Sequence, residues 1–135
     1  EAGRDDFRKI PNGLGVVEHR IDLVYQGVAE GWIPLTQWVD VTSTRPAKLS
    51  GLHPQKGTIA PGSDADIVIY DPTASQTLSA DSHHMNIDYS VFEGTEIAGR
   101  VESVLLRGEV IVDGAEFVGA AGEGQFLRRG PNTLS

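Results

Sequence analysis

From Lys56 to Pro72 the chain reads Lys-Gly-Thr-Ile-Ala-Pro-Gly-Ser-Asp-Ala-Asp-Ile-Val-Ile-Tyr-Asp-Pro, and no other stretch constrains the fold as tightly. Gly57 and Pro61-Gly62 mark two turns, because Pro presets φ and Gly accepts the positive φ that turns require. Asp64 and Asp66 follow, one small residue apart. Short acids so placed cap turns and accept hydrogen bonds from backbone N–H groups. Paired acids can also serve a functional site, but the turn chemistry accounts for both, and they are assigned a structural role. The apolar run Ile67–Tyr70 then predicts a short buried strand, stopped by Asp71-Pro72.

Helical spacing is confined to the residues before this segment. Pro11, Gly13 and Gly15 predict a loop over residues 1–15. Val17, Ile21, Val24 and Val28 recur at three and four residues, which predicts a helix from Val16 to Glu30 closed by Gly31, with Glu18 and Asp22 as surface charge. A second helix is expected from about Pro34 to Thr42, with Leu35, Trp38 and Val39 inward, and Trp32 and Trp38 are expected to be packing residues of the two-helix region. Thr42-Ser43-Thr44 breaks that run, and Pro46 starts a third helix through Leu49 that ends at Gly51. Beyond Gly57 the texture is β. Val101–Leu106 and Val110–Val112 flank Arg107-Gly108-Glu109 as a hairpin, and Asp113-Gly114 turns the chain before Phe117-Val118. Residues 73–99 are mixed and polar, and the tail from Gly119 lacks periodicity. Helices first and strands last describe an α+β arrangement.

Composition narrows the function classes. With 135 residues and 39% apolar content the chain can bury one modest core. The net charge is −8, and neither basic group, at the N-terminus or at Arg128-Arg129, interleaves aromatics, so no nucleic acid partner is expected. Apolar runs of four or five residues are too short to span a membrane. The lack of Cys rules out disulfides and thiolate metal sites here and fits a cytoplasmic chain. Glu1-Ala-Gly-Arg-Asp-Asp, with neither Met nor a signal segment, reads as if cut inside a loop.

No chemistry-bearing constellation emerges from spacing. His19, His53, His83 and His84 include no pair that would place two imidazoles on one helix face, so structural or surface roles are expected for all four. There is no Gly-x-Ser-x-Gly elbow, and Gly119-Ala-Ala-Gly-Glu-Gly does not join a strand to a helix as a phosphate cradle would. No catalytic residue and no metal ligand is assigned to this chain. By its residues alone, Ile10-Pro-Asn-Gly13 is a turn before a helix.

As strings, Lys56–Asp71 and Gly3-Arg-Asp-Asp-Phe-Arg-Lys-Ile-Pro-Asn-Gly13 resemble the amidohydrolase superfamily, and the second narrows the resemblance to dihydropyrimidinases and D-hydantoinases. The resemblance continues through Thr42–Leu52, His83–Asn86, Phe92–Gly94 and Arg107–Val112. It implies an α/β parent of which this chain is the C-terminal portion. Residues 1–52 would end a (β/α)8 barrel, 53–118 would return as strands of a small β-sandwich, and 119–135 would form a tail. It also implies hydrolysis of the cyclic amide of 5,6-dihydropyrimidines or hydantoins to N-carbamoyl amino acids. Two divalent metals, zinc in that family, would be held upstream, and the parent would be a dimer or tetramer. Asn12 would hold the substrate amide through its main chain, whereas Asn12-Gly-Leu-Gly departs from the family's Asn-Gly-x-Pro-Gly. Alternatives are a non-catalytic assembly relative, another cyclic amidohydrolase such as an allantoinase, and an autonomous binding module.

Overall fold

The computed structural model describes residues 4–10, 13–114 and 116–134. A single 3-10 turn, Phe7–Lys9, is capped by the Asp6 carboxylate, which accepts from the Arg8 backbone N–H and guanidinium. Helix α1 spans Arg20–Ala29, and Gly31 at φ +77° reverses the chain after it, so that Trp32 and Ile33 donate back to the Gly27 carbonyl. The helix starts later than its apolar spacing predicts. Val17 lies outside it and is 80% exposed.

Helices α2, Leu35–Val39, and α3, Arg45–Leu49, are joined without a break through one π-helical turn, Asp40–Thr44. Thr42-Ser43-Thr44 therefore widens the helix instead of ending it. Pro46 supplies the reason: it has no N–H to donate and its ring would press on the Thr42 carbonyl, so the Arg45 N–H reaches back to Asp40 O. Thr42 also bonds its hydroxyl to Trp38 O at 2.7 Å. Trp38 is buried as expected, but Leu35 and Val39 are exposed, and Trp32, expected to pack in this region, is 76% exposed.

The remaining elements form one four-stranded antiparallel meander: β1 Ile67–Thr77, β2 Glu96–Leu106, β3 Glu109–Asp113 and β4 Glu116–Phe117. The expected hairpin is present. Leu106 faces Glu109 across the two-residue turn Arg107-Gly108, both at positive φ, which suits the right-handed twist of the strands. Asp113-Gly114 turns the chain into β4. Strand β1 is longer and less buried than Ile67–Tyr70 suggests. Val68 and Ile69 are exposed, and Pro72 lies in an irregularity between Asp71 and Ser75 after which pairing with β2 resumes.

The core is small: among the described residues Trp38, Ala47, Leu78 and Ile97 are the buried apolar side chains. The rings of Tyr25, Trp38 and Tyr70 meet edge-on or tilted, with centroids 4.6–5.2 Å apart, and join α1 and α2 to β1. Gly99, at φ +76°, lies under Tyr70, where a Cβ would come within 2.5 Å of the ring. Gln26 docks α1 on β2. Its amide donates to Ala98 O at 2.9 Å and accepts from Ala98 N at 3.0 Å, as a neighbouring strand would. Among the described residues no helix is long and apolar enough to cross a membrane.

Candidate functional site

Two places gather polar side chains. In the first, the turns that precede β1 bring Lys56 to Asp64 and Asp66. The ammonium contacts Asp64 Oδ2 at 2.8 Å and also reaches Asp66 Oδ2. Asp66 Oδ1 accepts from the Arg107 N–H at 2.8 Å, and the Gly108 N–H donates to Ala65 O, so this corner anchors the β2–β3 turn. Asp64 takes side-chain donors from Lys56 and Gln55 instead of a backbone group at its carboxylate. The hydrogen bond from Lys56 holds the Asp64 carboxyl below its usual range. Burial pulls Lys56 down, but the two carboxylates outweigh it and keep the ammonium charged. A Lys so paired is poorly suited to proton transfer, and the two acids tie Lys56 and the β2–β3 turn to this corner.

Beside this corner an open groove of about 530 Å³ runs between the π-helical turn and the start of β1, lined among others by Trp38, Val39, Lys56, Ile59 and Val68. Two of its hydroxyls are already committed: Thr42 donates to Trp38 O, and Thr44 donates to Gly57 O at 2.8 Å. The groove offers mostly apolar surface, with Lys56, Asp64 and Asp66 at its rim.

The second polar group lies where α1 meets the sheet, and sequence spacing missed it. Asp22, expected on the surface, is 7% exposed. Burial raises its pKa to about 6 against the opposing pull of Tyr70 and Gln76. Those two groups lie close, yet Asp22 Oδ1 and the Tyr70 hydroxyl are each left without a hydrogen-bond partner of normal geometry. Burial and the facing Asp22 carboxylate push the Tyr70 phenol well above its usual range. His19 is buried at the start of α1, its ring edge-on to His83 with centroids 5.8 Å apart. Glu18 accepts from the His84 backbone N–H at 2.7 Å and meets His84 Nδ1 at 2.8 Å. The spacing of His19, Asp22 and Gln26 at three and four residues was the available signal for a polar stripe on α1.

Asn12 lies outside the described residues. His53 precedes Pro54 across a cis peptide bond. Among the described residues no three His, Asp or Glu side chains are grouped as a metal ion would require.

Comparison with known proteins identifies the family. The sequence model described as "Amidohydrolase family" matches residues 28–112. The D-hydantoinase of Streptomyces coelicolor is 54% identical over 129 residues, which is 96% of this chain and 28% of that protein. Rat dihydropyrimidinase is 45% identical over 130 residues, 96% of this chain and 25% of its own length. Among solved structures, the D-hydantoinase (dihydropyrimidinase) from Thermus sp. superposes with a TM-score of 0.90 at 49% identity, covering 96% of this chain and 29% of that one. The chain thus spans between 25% and 29% of the length of these relatives. With a family match over residues 28–112 and a shared fold at about half identity, this chain belongs to the amidohydrolase family.

Proposed function

We propose that this chain is the C-terminal portion of a cyclic amidohydrolase that opens the ring of 5,6-dihydropyrimidines or hydantoins and releases N-carbamoyl amino acids. The observation that carries this reading is the likeness to D-hydantoinase over 96% of the chain at 54% identity. In this reading residues 1–52 close the enzyme's barrel, 53–118 return as strands of a β-sandwich, and 119–135 form a tail. The enzyme is a cytoplasmic dimer or tetramer. Its two divalent metals, zinc by preference, would activate water and polarise the scissile carbonyl. The described residues of this chain offer no ligand set for them, so its own part is to build and position. Asn12 is the residue proposed to meet the substrate, through its main-chain groups.

The test is an assay of the full-length gene product, loaded with zinc, against dihydrouracil and 5-substituted hydantoins. Ring opening that follows metal content is expected, and an intact, metal-loaded protein without turnover would reject the reading in favour of a non-catalytic relative. Asn12→Ala should lower catalytic efficiency by about threefold at most, since the main-chain groups remain. Asn12→Pro, which removes the N–H, should lower it on the order of a hundredfold. Equal, near-normal values for both would make Ile10–Gly13 an ordinary turn.

A further inference from the structure

The connection between β1 and β2 is closed at its neck. Leu78, buried at its root, donates to Thr95 O and accepts from the Gly94 N–H, both at 2.9 Å. The Glu93 carboxylate takes the Ser79 hydroxyl at 2.7 Å and the Ala80 N–H at 2.8 Å. A loop whose ends are tied in this way holds its shape without a strand or helix inside it.

One side of this loop lies against the approach to α1 in a fixed register. Ile87 sits over Gly15, where an added Cβ would fall 1.7 Å from Ile87 Cδ1. Three residues along, Glu18 grips His84 at both its backbone N–H and its ring. At the next position His19 meets His83 ring to ring. Each step forward along residues 15–19 is matched by an equal step back along 83–87, so the two segments run antiparallel. The approach itself, from Gly13 to His19, belongs to no helix or strand. It takes its place from these contacts.

We propose that the 79–94 connection is a clasp that fixes the approach to α1, with Glu18 and His84 as positioning residues for the loop that precedes it. The clasp follows from the contacts; its bearing on substrate rests on the cyclic amidohydrolase reading given above. Glu18 and His84 are both partly exposed, so their pairing adds little to the core. What it adds is geometry, because a carboxylate held at two points resists rotation as well as displacement.

Hydrogen exchange of the peptide covering residues 13–19, in the full-length protein, separates these roles. Glu18→Ala and His84→Ala should each raise its exchange by about tenfold, the double variant no further, and the β2–β3 hairpin should stay unchanged. His84→Asn, which keeps a donor near the Nδ1 position, should restore protection. If Glu18→Ala leaves exchange unaltered, if either alanine variant raises exchange in the hairpin as much as in residues 13–19, or if His84→Asn exchanges as fast as His84→Ala, there is no clasp. The same variants should raise KM for the cyclic substrate several-fold with kcat nearly constant. A loosened approach with unchanged KM would overturn the positioning role. A protein that protects residues 13–19 but opens no ring would overturn the enzymatic reading and leave the clasp standing.

Discussion

A carboxyl group that is 7% exposed and has one unpartnered oxygen is costly to ionise, and Asp22 is in that position. Its pKa of about 6 lies above the ordinary 3.8, so the fold prefers the protonated form. Below pH 4 both folded and unfolded chains hold the proton and the group is neutral in the balance. Between pH 4 and 6 the unfolded chain releases it first, and stability falls as pH rises. Asp22→Asn should therefore raise the full-length protein's stability at pH 7 by on the order of 1–3 kcal/mol, with the gain vanishing near pH 4. Thermal midpoints of both proteins across that range decide it, and a gap that does not change with pH would show that burial of the charge is not the cause. The sequence could not disclose this burial. The apolar spacing of α1 defines one inward face, and an acid next to Ile21 falls outside it. The sheet and the 79–94 connection cover that flank too, through contacts with residues more than fifty positions away.

Among the connecting elements, Gly57 and Gly62 look alike in sequence, both read as turns before β1, and both adopt positive φ. Their surroundings separate them. A Cβ at Gly57 would lie 2.5 Å from Ala47 Cβ and 3.0 Å from Ser43 O, beneath the helix, whereas nothing lies within 4 Å at Gly62. Gly62→Ala should cost only the left-handed backbone penalty, about 1–2 kcal/mol. Gly57→Ala should add overpacking against a backbone that cannot withdraw, for roughly 3–4 kcal/mol altogether. Chemical denaturation of the two variants would test this, and equal losses would mean that the helix yields. Turn positions, hairpin and helix order were all legible because they depend on local residue types. Strand length was not, since pairing carries β1 past the Asp71-Pro72 stop and through an irregularity that no local rule announces. Helix continuity is hidden from local rules for a related reason: Pro46 reads as a new start, while the chain absorbs it in one π-helical turn.

Among the described residues, more large apolar side chains are exposed than buried. Phe126 is 91% exposed and Ile59 84%, and Phe7, Val17 and Trp32 are also largely bare, against four buried apolar side chains. Strand β1, at one edge of the meander, lines a groove of about 530 Å³ with Val68 and also leaves Ile69 exposed. Surfaces of this kind mark places where other protein packs. The tail shows that some of the chain's own segments are already in use: Gly130 donates to Gly51 O at 2.8 Å and Thr133 to Lys48 O at 3.1 Å, holding the last residues against the end of α3. That hold leaves Phe126 outward and free to contact a neighbour. Residues 1–135 produced alone should therefore aggregate without a fixed stoichiometry and bind a hydrophobic dye, while the full-length protein forms a single dimer or tetramer and binds no dye at the same concentration. An unpaired strand edge would add to the association, because its open N–H and C=O groups can pair with another copy. Asp or Lys at Ile59 and Val68 should reduce association of the isolated chain and destabilise the full-length protein, if the groove is a buried contact there. Sedimentation of the isolated chain is the measurement. A monodisperse monomer with a sharp thermal transition would mean that these apolar side chains need no partner, and that four buried residues and one aromatic trio suffice to hold the fold.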